Sequence, residues 1–148
     1  MKSRSQARSA ARLAAVQALY QIDMEGTPLA SLLDEFHRHR LGAEIEGNQY
    51  AQAEVAFFDD VVKGVDARRD EIDELLSGRL AEGWRLERLD KTMLQILRAG
   101  AWELLARADI PTATVLSEYV DGAHAFFEAR EAKFVNGVLD AVAKAVRN

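Results

Sequence analysis

Between Asp90 and Pro111 the chain carries Met93, Leu94, Ile96, Leu97, Ala101, Trp102, Leu104 and Leu105. Wound at 3.6 residues per turn, these residues make a helix that is apolar around most of its circumference. Such a helix is stable in water only when other elements surround it, so the rest of the chain must supply its walls. The composition says those walls are helical. Alanine (25) and leucine (17) far outweigh valine, isoleucine and threonine, which together number 20, and this balance favours helix over strand. At 148 residues the chain is long enough to bury a substantial core in one domain.

Around the central segment, apolar residues recur at spacings of three and four. Leu13, Val16, Tyr20 and Met24 predict an amphipathic helix over about 5–24 with one buried stripe, ended by Gly26. Thr27 and Pro28 read as an N-cap and first-turn pair for a helix through Leu29, Leu32, Leu33 and Phe36 that stops near Gly42. Residues 42–50 read as an exposed connection. Val55, Phe58, Val61, Val62 and Val65, then Ile72, Leu75, Leu76 and Leu80, predict two consecutive helices or one bent near Gly64. Gly78 and Gly83 bracket a break, with Trp84, Leu86 and Leu89 as apolar anchors, and Asp90 caps the central helix. Pro111 forces that helix to end. Val115, Leu116, Tyr119, Val120 and Ala123 mark the next helix, and Phe134, Val135, Val138, Leu139 and Val142 the last, over about 132–146. Asn136-Gly137 falls inside that last helix because its neighbours keep helical spacing. The expected fold is an all-α bundle of about seven helices.

Catalytic groupings are absent from this pattern. There is no cysteine, no GxxxxGK[ST] loop and no GxGxxG turn. His37 and His39 project about 200° apart on a helix, the wrong arrangement for one metal. Ser117 and His124 stand roughly 10 Å apart along a helix axis, too far for direct proton transfer. Asp70, Glu71, Asp73 and Glu74, beside Arg68 and Arg69, read as a solvated, ion-paired helix surface. No catalytic, cofactor or metal residue is assigned. No run of 18 apolar residues is present, and no secretory signal is read, so a cytoplasmic protein without a membrane partner is expected.

Charge is distributed unevenly. Residues 1–22 hold Lys2, Arg4, Arg8 and Arg12 and no acid, a charge of plus 4, whereas the remainder carries minus 9. Arg4, Arg8 and Arg12 advance by only about 40° each on a helix and so form a ridge, read as lying away from the Leu13, Val16, Tyr20 seam. A guanidinium fork pairs with phosphate oxygens and stacks on exposed bases, so such a ridge can follow a phosphate backbone. Solubilising charge on an amphipathic helix is the other reading of the same residues.

Specific strings add to this. Arg8-Ser9-Ala10-Ala11-Arg12 with Ala15-Val16-Gln17-Ala18-Leu19-Tyr20, and Lys133-Phe134-Val135-Asn136-Gly137-Val138-Leu139-Asp140, resemble the opening and the most characteristic segment of the NusB family of bacterial transcription antitermination factors. Trp84-Arg85-Leu86, Arg88-Leu89-Asp90, Ile96-Leu97-Arg98, Glu103-Leu104 and Asp109-Ile110-Pro111 follow in that family's order. The chain departs from the pattern at Lys91-Thr92 and at Asp121-Gly122-Ala123-His124.

The resemblance implies one RNA-binding domain over 1–148 with two packed helical subdomains, near 1–80 and 81–148. It implies partnership with NusE, a small-subunit ribosomal protein, on single-stranded boxA RNA near the elongating RNA polymerase, in the transcription of ribosomal RNA operons. Carried across, the RNA residues are Arg4, Arg8, Arg12, Lys133, Phe134 and Asn136, with Lys2 extending the basic motif. Gln17 and Tyr20 match as well, Tyr20 being placed in the apolar stripe. Phe134 either stacks on RNA or begins a buried helix, and Gly137 is expected to permit close helix packing. A homodimer of the free protein is compatible with the sequence. Two other readings stay open: a helical adaptor that binds only protein, and the NusB-like N-terminal module of an RNA cytosine methyltransferase, which requires the chain to be a fragment.

Overall fold

The structure, a computed structural model, describes residues 4–41 and 49–147, and Lys2 and most of the expected 42–50 connection lie outside them. Among the described residues there are seven α-helices and no strand: α1 Arg4–Glu25, α2 Leu29–Glu35, α3 Gln49–Ala67, α4 Arg69–Ser77, α5 Lys91–Ala106, α6 Thr112–His124 and α7 Ala129–Val146. A π-helical turn, Phe36–Leu41, continues α2, and a 3-10 turn, Leu86–Arg88, precedes α5. The chain forms two compact units, Met1–Gly64 and Val65–Asn148.

In the first unit, Gly26 ends α1 with φ +68°, a conformation that costs glycine nothing, and its N–H donates to the Ile22 carbonyl at 3.0 Å. Pro28 rather than Thr27 occupies the N-cap position of α2. The Thr27 hydroxyl instead accepts from the Gln21 amide at 3.4 Å, and the same amide donates to Glu35 at 3.2 Å. The core of this unit stacks Phe36 on Phe58 (centroids 5.3 Å, planes 20° apart) beside Leu32, Phe57, Val61 and Val62.

The buried face of α1 differs from the expected seam. Ala7, Ala11, Ala15, Val16, Ala18 and Leu19 are buried, whereas Tyr20 is 38% and Met24 49% exposed. Small side chains recurring at four, four and three allow neighbouring backbone to approach closely, and a pattern read from large residues alone passes over them. This places the helix about a third of a turn or more from its expected orientation.

In the second unit, α5 is the central helix that its composition demanded, with every residue from Met93 to Leu104 buried. The Asp90 carboxylate caps it, accepting from the Thr92 N–H at 2.8 Å and the Met93 N–H at 3.2 Å. Gly100 lets α6 and α7 close on it: a Cβ there would stand 2.7 Å from Leu139 Cδ1 and 3.4 Å from Tyr119 Cδ2. At Gly137, where close packing was expected, a Cβ would meet nothing within 4 Å. Of these two, Gly100 is the packing glycine.

Buried polar groups in this unit are matched. Arg98 donates twice to Asp73, both at 2.8 Å, and once to Gln95 at 3.4 Å, while the Tyr119 hydroxyl donates to Glu103. Arg147 donates to the carbonyls of Glu103, Leu104, Arg107 and Ile110 at 2.7–3.3 Å, closing the C-terminal end of α5. Asp73 is thus a part-buried anchor for Arg98, while Arg68 and Glu71 pair at the surface as expected, at 2.8 and 2.9 Å. The same anchor, with fully buried Ile72 and Leu76, ties α4 to α5. It joins α4 to the second unit.

Candidate nucleic-acid interface

Each unit carries its own set of candidate residues. In the first, α1 and α3 bring Arg8, Arg12, Glu54 and Phe57 together. The guanidinium carbons of Arg8 and Arg12 lie 4.5 and 4.9 Å from the centroid of the Phe57 ring. Arg8 Nε stands 4.0 Å from Oε2 of Glu54, whose side chain is fully buried. A cation held over a ring face is worth about 0.5–2 kcal/mol, more as water is excluded.

The two arginines are not equivalent. Arg12 is only 5% exposed, whereas the Arg8 side chain is a quarter exposed. The expected ridge of three solvent-facing guanidiniums is corrected accordingly, because Arg8 and Arg12 share the arc of Ala11, Ala15 and Leu19, which is the buried one. Arg4 opens α1, and its side chain lies outside the described residues. Gln17 and Tyr20 are exposed.

In the second unit, α7 presents Lys133, Asn136 and Gly137 to solvent, while Phe134 is half-buried against Trp84, with ring centroids 5.6 Å apart and planes 40° apart. Phe134 therefore belongs neither wholly to the core nor wholly to the surface. Trp84, expected as an apolar anchor, is 55% exposed.

Sequence reasoning missed Phe57 and Glu54 because a ring and a carboxylate that receive arginines have no motif of their own. It also missed Trp84 as a surface residue. The available signal was Gly83 immediately before it, whose φ of +90° turns the chain at that point.

Among the described residues no three histidine, aspartate or glutamate side chains gather as a metal site requires. His37 Nε2 lies 2.6 Å from Asp59 at the surface. None of the described helices is long and apolar enough to cross a membrane.

The NusB family model matches residues 9–144. The chain belongs to the NusB family. It is 79% identical over 141 residues to the transcription antitermination protein NusB of Novosphingobium aromaticivorans, covering 95% of each chain. It is 64% identical to the protein of the same name from Sphingopyxis alaskensis, covering 99% of each. Among solved structures it superposes on T. maritima NusB with a TM-score of 0.77 at 29% identity, over 97% of this chain and 93% of that one. It also superposes on a chain from a crystal structure of antitermination factors NusB and NusE in complex with dsRNA, with a TM-score of 0.78 at 26% identity, over 94% of this chain and 97% of that one.

Proposed function

We propose that this chain is a transcription antitermination factor that binds boxA-type single-stranded RNA together with a NusE-type small-subunit ribosomal protein, during transcription of ribosomal RNA operons by the elongating polymerase. The observation that carries the reading is likeness over nearly the whole chain both to proteins named for antitermination and to a chain solved with NusE and dsRNA. The chemistry of the two sets of residues agrees with it. Arg8, with Arg4 ahead of it on α1, meets phosphate oxygens, and Arg12 supports Arg8 from behind through the ring they share. Lys133 adds a second cation, Asn136 supplies donors and acceptors for base edges, and Phe134 a ring on which an unstacked base rests.

A single strand is the favoured ligand because aromatic and amide groups at a surface act on bases that are not already stacked and paired. The test is a mobility measurement with the NusE-type partner and a boxA oligonucleotide, beside a scrambled strand and a duplex. Selective retention of the boxA strand is expected. In a salt titration, Arg8→Glu should lower the log–log slope by about 0.7 for each phosphate of a single strand that is no longer neutralised. A partner complex indifferent to every RNA would overturn the reading in favour of a protein-only adaptor.

A further inference from the structure

Trp84 packs against Phe134 yet keeps more than half of its surface open to solvent. The indole is 55% exposed, and its backbone N–H is held by the Ala81 carbonyl at 3.0 Å, so a defined turn built on the positive φ of Gly83 carries it. It stands tilted against Phe134, so the two rings form one partly open aromatic surface. On α7, Gly137 falls at an angle between Lys133 and Phe134, about 40° from the first and 60° from the second. It is solvent-exposed, has no positive φ, and a Cβ there would touch nothing. A glycine in the middle of a helix costs roughly 1 kcal/mol relative to alanine. Neither packing nor backbone conformation explains this one. What it leaves is bare backbone between a cation and an aromatic ring.

We infer that Trp84 and Phe134 form a stacking platform for one unpaired nucleobase, with Lys133 on the adjoining phosphate and the open surface at Gly137 admitting the sugar-phosphate chain. This rests on the RNA-binding reading and assigns Trp84 a part in it. The occupant is a base because the site offers flat apolar faces beside the positive charge of Lys133, the complement of a nucleotide. Stacking on a ring is tolerant of base identity, so the platform adds affinity more than sequence preference.

The protein's own fluorescence reports on the site, since Trp84 is exposed and the only other tryptophan, Trp102, is 6% exposed in the core. The full chain with its NusE-type partner is titrated with a boxA strand of about 12 nucleotides, a length within the range of single-strand sites. Tryptophan quenching that saturates with binding is expected, and an abasic nucleotide at one position should abolish it. Trp84→Ala should weaken binding roughly tenfold with an unchanged salt slope, because the charge is the same, and Trp84→Phe should retain most of the affinity. Lys133→Gln should instead lower the slope by about 0.7. Gly137→Leu, filling the gap with a good helix former, should weaken RNA binding while leaving the thermal midpoint at or above that of the parent.

Saturating RNA that leaves the fluorescence unchanged, or Trp84→Ala binding RNA as the parent does, overturns the platform while leaving the RNA reading intact. Trp84→Ala that loses only the protein partner overturns it in favour of a protein-binding role. If the parent chain binds no RNA, the underlying reading falls, and the platform with it.

Discussion

Three arginines of the first unit lie over ring faces, whereas Arg98 and Arg147 of the second end on oxygen. Arg8 and Arg12 lie over Phe57, and Arg40 lies 4.9 Å over Phe36. Arg98 is clamped by Asp73, and Arg147 reaches four carbonyls and the Thr112 hydroxyl. A ring attracts the flat face of a guanidinium and leaves its in-plane donors pointing elsewhere, whereas carbonyl and carboxylate partners consume those donors. The same residue type is thus a structural fastener in one unit and, at Arg8, a group able to take a phosphate in the other. Counting arginines along the chain does not separate these uses.

Substitutions in both units test the contrast. The second unit should be the less forgiving of added volume: Gly100→Val should cost about 3 kcal/mol by overpacking against Leu139 and Tyr119, read by chemical denaturation. Gly137→Ala, the same class of change on open surface, should instead gain up to about 1 kcal/mol. If both lower stability, the contrast between an enclosed Gly100 and an open Gly137 is broken. Arg147→Ala should cost about 2 kcal/mol, since it strips charged donors from the carbonyls at the end of α5. A neutral outcome would make the oxygen-bound arginines no more structural than the ring-bound ones.

In the first unit, Arg12→Ala should cost about 1 kcal/mol and Arg8→Ala less than half of that, following their burial. RNA affinity should rank them oppositely when compared at a temperature where both are folded. Equal effects in both assays would erase the distinction between supporting and contacting residue.

The smallest effect is at the exposed Arg68–Glu71 pair. The hydrogen bond that Arg68 donates lowers the Glu71 pKa and raises its own. Because the Glu71 value is depressed on folding, its contribution is present above the unfolded value and disappears as the pH falls through the folded one. Acid titration of Glu71→Gln should therefore lack a small, salt-sensitive part of the parent's decline in stability, and a large difference would mean the pair is not the solvent-screened interaction described.

The helical pattern is legible wherever large apolar residues carry it. The all-round apolar segment before Pro111 is the buried α5, and Asp90 caps it. Where alanine carries the pattern it misleads, turning α1 the wrong way and placing Tyr20 and Met24 inside. A similar limit hides Phe57 and Trp84. A ring's role depends on what faces it, and Arg8 and Arg12 are more than forty positions from Phe57, as Trp84 is fifty from Phe134.

The order of residues by itself determined the helical class, the central helix, the basic opening segment and the two strings that carry the family likeness, because these follow from local periodicity, charge and identity. Only the tertiary structure decided which arginine is buried, which glycine is needed for packing and which tryptophan meets water. Those outcomes depend on atoms brought together from distant parts of the chain, and burial, ring stacking and the room for a Cβ do not exist until the helices have packed.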